Sequence, residues 1–172
     1  MKKTVGVFLM FFTCFLLVGL NWAGGDSEGP LAMKSFSVNA PRGWTVERAG
    51  DDRVVFRTAE PRSGEAVIVV AADAVPVPDG REDEWRQTRS AAAYRNGVVD
   101  EGEVRAPGGT WRKIVYGDEI GGTKLRCAAL VFQQGGTRCL IRFSCPENRF
   151  DAMVPYLDAV RESVALAAGT RT

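Results

Sequence analysis

Residues 123–145 read TKLRCAALVFQQGGTRCLIRFSC, and this stretch decides the fold. Two β-rich runs flank Gly135 and Gly136, which adopt positive φ at little steric cost. Such runs on either side of a short glycine turn are typical of a β-hairpin. We therefore expect the rest of the chain to be organised around an antiparallel pair of strands.

The side-chain pattern predicts how these two strands pair. The residues that share the apolar face of the second run are Cys139, Ile141, Phe143 and Cys145. The residues predicted to share a face of the first run are Leu125, Cys127, Ala129 and Val131. Pairing like face with like places Cys127 opposite Cys145 and Val131 near Ile141.

The composition excludes several classes of function. The 172-residue chain has a net charge of +1 and no histidine. Without Lys2 and Lys3 it has 20 basic and 21 acidic residues, a balance that does not support nucleic-acid binding. The lack of histidine excludes a Ser-His-Asp or Cys-His catalytic arrangement within this chain. Since no other residues stand in a catalytic motif, we expect no enzymatic activity, no cofactor and no metal site.

The N-terminus has the layout of a bacterial secretory signal. Lys2 and Lys3 precede an almost wholly apolar run over residues 5–20. We predict a signal peptide at residues 1–23 and a periplasmic or exported protein. The alternative is an uncleaved anchor, residues 5–22, in the inner membrane.

The remaining chain predicts one domain at residues 36–168, after a linker at 24–35 and before a tail at 169–172. Short strands come first, followed by a helix from about Arg81 to Asn96 that Asp79 caps and Gly97 ends. Four more strands follow, including the hairpin. A last helix should begin after Pro146 and end near Ala167, with Pro155 inside it. Its apolar stripe is predicted to consist of Phe150, Met153, Leu157, Val160 and Val164.

The short turns between strands predict a mostly antiparallel β-sheet with helices packed on its faces, an α+β domain. Several motifs add to this prediction. They are Pro41-Arg42-Gly43-Trp44, a middle helix carrying Trp85, Gly109-Thr110-Trp111 leading to Tyr116, and Phe143-Ser144-Cys145-Pro146 before the last helix.

In this order the motifs resemble those of the PsbP/Mog1-like superfamily, which includes exported bacterial proteins of the DcrB type. The resemblance covers about Phe36 to Leu166 and implies a layered α+β sandwich. Members of the superfamily are mostly accessory or binding proteins. One branch contains extrinsic subunits of photosystem II and another binds a small GTPase, and neither role transfers to this chain. The resemblance thus implies a non-enzymatic domain that docks on another molecule.

Three cysteines follow the predicted signal, and an exported chain meets an oxidising compartment. Cys139 and Cys145 are six residues apart on one strand, about 20 Å, which is too far for a bond. Facing residues of antiparallel strands lie within disulfide range. We therefore predict a structural Cys127–Cys145 disulfide and a buried free thiol at Cys139.

Two further features are candidate binding residues. Arg126, Arg138 and Arg142 share the even-numbered face of the hairpin and could bind an anion or an acidic partner. The alternative is that they are solvated, or that their stems cover apolar neighbours. Among the aromatic residues, we expect Trp44 and Trp111 in the core and Trp85 to be the most exposed, as a candidate contact for a ligand or partner.

The resulting prediction is an exported accessory or interaction protein of the cell envelope, without catalytic activity, that docks on an envelope protein. We expect membrane contact only through the N-terminal segment, if that segment is not cleaved. The alternative is a periplasmic small-ligand binder or carrier. A well-formed apolar cavity between sheet and helix would favour the carrier. A filled core with an exposed mixed patch would favour the interaction protein.

Overall fold

The structure is a computed structural model. It describes residues 29–58, 64–74 and 97–167. The predicted helix at 81–96, Trp85, the predicted signal and the predicted tail lie outside these residues. No helix within the described ranges is long and apolar enough to cross a membrane.

The described chain forms ten strands and one α-helix. The strands are β1 (Leu31–Ala32), β2 (Phe36–Val38), β3 (Trp44–Arg48), β4 (Arg53–Thr58), β5 (Val67–Ala74), β6 (Val98–Ala106), β7 (Gly109–Ile120), β8 (Thr123–Gln134), β9 (Thr137–Pro146) and β10 (Ala165–Leu166). A 3₁₀ turn, Glu147–Arg149, leads into the helix α1 (Phe150–Ser163). The first strand, β1, lies inside the segment predicted as a linker.

The strands form two antiparallel sheets. The larger sheet has seven strands in the order β3-β4-β5-β9-β8-β7-β6, and the smaller has the order β1-β2-β10. α1 lies against β9 and β2. The predicted fold class, a mostly antiparallel sheet with helical packing, is confirmed.

The core lies between the larger sheet and the layer made by α1 and the smaller sheet. We call the side of the large sheet that faces this layer the core face, and the other side the outer face. Buried residues of the core face come from the central strands β4, β5, β8 and β9: Val54, Phe56, Ile68, Val70, Ala128, Leu130, Ile141 and Phe143. Strand alternation places them all on one side of the sheet.

The predicted register of the β8–β9 hairpin is wrong by one residue. Gly135 and Gly136 have φ of 58° and 81°, values that fit a two-residue type I′ turn. Such a turn sets Gln134 opposite Thr137, so Cys127 lies opposite Ser144 and not opposite Cys145. Both faces of β8 are apolar, so hydrophobic alternation could not fix the register, whereas the turn length does.

The one-residue shift moves Cys127 to the outer face, while Cys145 stays on the core face. The predicted Cys127–Cys145 disulfide is therefore wrong, and the structure has no disulfide among the three cysteines that it describes. Cys139 is a buried thiol, as predicted.

The last helix carries the predicted apolar stripe. Leu157, Val160 and Val164 are buried in the core, and Phe150 and Met153 pack against it. Pro155 lies inside the helix, which continues through it as one element. The helix ends earlier than predicted, because Val164 turns to an extended conformation with ψ of 122°. The next two residues then pair with β2.

Candidate functional site: a groove between α1 and strands β6 to β8

A groove of about 520 Å³ lies between α1, the 3₁₀ turn and the core face of β6, β7 and β8. The strand register places the lining residues of the sheet on one face. Asp100 lies opposite Val115 on the neighbouring strand, Val115 lies opposite Ala128, and Lys113 lies opposite Leu130. Its described lining residues are Val99, Asp100, Val104, Lys113, Val115, Arg126, Ala128, Leu130, Glu147, Phe150, Asp151, Val154, Leu157, Asp158 and Arg161. We refer to this set as the groove.

The apolar part of the groove has a buried base and a more open mouth. Ala128, Leu130 and Leu157 are buried. Val104, Phe150 and Val154 are half-buried, and Val99 is 55% exposed. The groove therefore offers apolar side chains to water at its mouth, next to the filled core.

Ion pairs line the groove beside these apolar side chains. Lys113 Nζ lies 2.7 Å from Asp100 Oδ2, and the guanidinium of Arg126 contacts the carboxylate of Glu147. Lys113 lowers the pKa of Asp100, mainly through its hydrogen bond to the carboxylate and secondly through its positive charge. Because Lys113 and Arg126 are each neutralised by a carboxylate, neither of them is a vacant anion site.

Arg161 is the buried charged residue of the described chain, and 7% of its side chain is exposed. Its Nη1 lies 2.8 Å from Asp158 Oδ1 and its Nη2 lies 3.0 Å from Glu162 Oε1. Its Nε is buried and has no hydrogen-bond partner among the residues that the structure describes. A buried donor without an acceptor costs about 1–3 kcal/mol, and Arg161 is one of the residues that line the groove.

The predicted arginine surface is divided between two faces. Arg126 lies on the core face in the groove, whereas Arg138 and Arg142 lie on the outer face. Arg138 Nη2 lies 2.9 Å from Asp73 Oδ2, and Arg142 lines a second depression of about 380 Å³ with Arg53, Val69 and Leu140. The prediction of one shared surface is wrong, for the same register reason as the disulfide.

The cysteines offer no reactive site on the core face. Burial raises the pKa of Cys139 to about 12, and the carboxylate of Asp73 adds to this shift. Burial also raises the pKa of Cys145 to about 11, although Arg149 opposes the shift. Since the thiolate is the reactive form, these raised pKa values keep both thiols protonated near neutral pH.

The tryptophans that the structure describes contact other aromatic rings. Trp111 is 1% exposed and packs on Phe132 with ring centroids 5.2 Å apart, which confirms its predicted place in the core. Trp44 is half-buried and lies 5.5 Å from the ring of Tyr156 at the surface of α1. Neither ring lines the groove.

Sequence reasoning missed Arg161 and the Lys113–Asp100 pair. One signal was present for Arg161, since it follows Leu157 by four residues and so extends the buried stripe of α1. No sequence signal marked Lys113, because its exposure depends on which part of the sheet α1 covers.

No protein-family model matches the chain, and no curated protein matches it. Solved structures, in contrast, do match the chain. One is PsbP (CyanoP) from Synechocystis sp. PCC 6803, with 17% identity, a TM-score of 0.58, and 88% of this chain and 99% of that chain covered. Another is LpqN, involved in cell envelope biogenesis of Mycobacterium tuberculosis, with 12% identity, a TM-score of 0.53, and coverage of 84% and 88%.

A third is a protein of unknown function from Pseudomonas aeruginosa, with 12% identity, a TM-score of 0.55, and coverage of 73% and 99%. At these identities the likeness is one of fold. The chain has the PsbP-like fold over most of its length.

Proposed function

We propose that the protein is a non-catalytic accessory protein of the cell envelope and that it docks on an envelope protein through the groove. We also propose that the protein is related to the exported bacterial proteins of the DcrB type. Its proposed location is the periplasm, either free or anchored in the inner membrane by the N-terminal segment. The observation that carries the proposal is the groove itself, a mixed apolar and charged surface beside a filled core.

The mixed lining favours a protein partner. Eight of the fifteen lining residues are apolar and seven are charged, whereas small-molecule sites are predominantly apolar with few polar groups. A surface with exposed apolar side chains such as Val99, rimmed by charges, fits a protein–protein contact. The fold of LpqN, a protein involved in cell envelope biogenesis, supports the same general setting.

The test is cross-linking in the producing cell. A photo-reactive amino acid replaces Val99 in the groove, and a matched variant carries it at Ile120, which is 48% exposed but outside the groove. We expect the Val99 variant to capture an envelope protein and the Ile120 variant to capture much less of it. Equal capture at both positions, or fractionation of the protein with the cytoplasm, would contradict the proposal.

The volume of the groove favours a second candidate, a small-ligand binder. About 520 Å³ lies within the roughly 300–1,000 Å³ of small-molecule sites. A small molecule co-purifying with the protein, and absent after Val154→Trp fills the groove, would favour this candidate over the first.

A further inference from the structure

We propose that the groove binds a basic peptide segment in extended form, with a lysine or arginine of the partner at Asp151. This inference rests on the proposed function, since it specifies the partner segment that the groove accepts. Two independent observations carry it: the balance of charges along the groove and the unsatisfied donor of Arg161.

The first observation concerns charge. Lys113 and Arg126 each face a carboxylate within the groove, and Arg161 faces both Asp158 and Glu162. Asp151 is exposed and forms no ion pair with any residue that the structure describes. An anionic occupant would have to displace a carboxylate from its cation, whereas a cationic side chain pairs with Asp151 without disturbing any existing pair. Charge complementarity therefore selects a basic occupant.

The second observation concerns hydrogen bonding. Nε of Arg161 is a buried donor without an acceptor in the described part of the chain. Two carboxylates already contact the same guanidinium, so a third anion would meet their repulsion. A neutral carbonyl oxygen satisfies the donor without that repulsion, once the side chain of Arg161 shifts toward the groove and exposes Nε. The peptide backbone presents such an oxygen at every residue.

The length of the groove fits a short extended segment. Asp151 and Arg161 are ten residues apart on α1, a distance of about 15 Å at 1.5 Å per residue. About four or five residues of extended chain span that distance. The apolar side chains of the groove that reach water are Val99, Val104, Phe150 and Val154. We therefore expect an apolar side chain next to the basic one.

Two synthetic probes test the inference on the ¹⁵N-labelled protein as purified from cells. One capped peptide is Ala-Leu-Lys-Val-Ala, and the other replaces its lysine by glutamate. We expect the lysine peptide to shift the backbone amides that line the groove, Asp151 and Ala128 among them. The glutamate peptide should bind at least about fivefold more weakly, because it meets unpaired and paired carboxylates.

Two variants separate the observations. Asp151→Asn should weaken binding of the lysine peptide about two- to fivefold and reduce its salt dependence, as for an exposed ion pair. Glu119→Gln removes an exposed carboxylate outside the groove and should leave the affinity unchanged. Arg161→Lys keeps the charge but loses the Nε donor, so it should weaken both peptides alike.

Three results would overturn the inference: equal affinity for both peptides, shifts outside the groove, or no shifts up to about 5 mM peptide, a weak limit for specific binding. If cross-links from position 99 to an envelope protein persist in each of these cases, the proposed function stands without the inference. Peptide binding without any envelope cross-link would contradict the proposed function instead.

Discussion

Two halves of the core face of the large sheet differ in how they are covered. Over β4, β5 and β9, buried aliphatic and aromatic side chains meet Val160 and Val164 and the smaller sheet. We call this region the packed half. Over β6, β7 and β8, the same face opens into the groove, with charged residues among the apolar ones. The sheet is continuous, so the difference arises from where α1 lies and from Asp100, Lys113 and Arg126 at core-facing positions.

The difference shows that one sheet face is enclosed in the core at one end and open to solvent at the other. In the packed half, each side chain is enclosed, so its removal leaves a cavity. At the mouth of the groove, side chains such as Val99 border water, and their removal leaves little empty volume. Substitutions in the two halves should therefore differ in their effects on the free energy of unfolding.

The largest effect is expected from Phe56→Ala in the packed half. Phe56 is 0% exposed, and removing a buried phenyl ring typically costs about 3–5 kcal/mol. Val99→Ala, at a position 55% exposed in the groove, should change stability by less than about 0.5 kcal/mol. Urea denaturation measures both, and similar losses for the two variants would show that the halves are packed alike.

A smaller effect is expected at the edge of the packed core, from Gly109→Ala. Gly109 has φ of 142°, and an added Cβ would lie 2.5 Å from Cε2 of Phe132. Strained backbone of this kind costs about 1–3 kcal/mol, and the Phe132 ring must also move. Gly102→Ala is the matched control on β6, where an added Cβ meets nothing within 4 Å. We expect the control to be neutral in thermal unfolding, and a loss as large as that of Gly109→Ala would contradict the account.

The groove predicts a still smaller effect for Arg161→Met. The variant removes a buried guanidinium with an unsatisfied Nε and leaves Asp158 and Glu162 at positions where their carboxylates reach water. Removing one partner of a buried ion pair is costly when the remaining charge stays buried, but the side chains of Asp158 and Glu162 are 43% and 58% exposed and stay hydrated. We expect a change within about 1 kcal/mol in urea denaturation. A loss above about 3 kcal/mol would mean that the arginine supports the fold and not the groove.

The sequence predicted the elements of the fold better than their relation to each other. The apolar stripe of α1 and the alternation of β9 repeat with fixed periods, so both could be read directly. The hairpin register could have been predicted as well. A two-residue turn at Gly135 and Gly136 always pairs an odd-numbered residue with an even-numbered one, and the expected pairing of Cys127 with Cys145 violated that rule.

The groove could not be predicted, for a physical reason. Lys113 and Arg126 are charged residues on strands, and sequence pattern alone assigns such residues to solvent. Their place on the core face follows from the register of β7 with β8 and of β8 with β9. Their partners, Asp100 and Glu147, are 13 and 21 residues away in sequence, separations at which no local rule indicates pairing.

The smallest expected effect is a pH dependence from the Lys113–Asp100 pair at the groove. The hydrogen bond and the charge of Lys113 lower the pKa of Asp100 in the folded protein below its unfolded value. The pair therefore stabilises the fold fully above the ordinary aspartate pKa of about 3.9, and this stabilisation is lost as pH falls through the lower folded value. The effect should be small because Asp100 is exposed.

Urea denaturation at about pH 6 and about pH 3 should show wild type and Asp100→Asn converging in stability at the lower pH, as Asp100 gains its proton. Glu103→Gln, which removes a carboxylate from the same strand, should show no such convergence. If the difference between wild type and Asp100→Asn stayed constant across this range, Lys113 would not hold the carboxylate in its charged form.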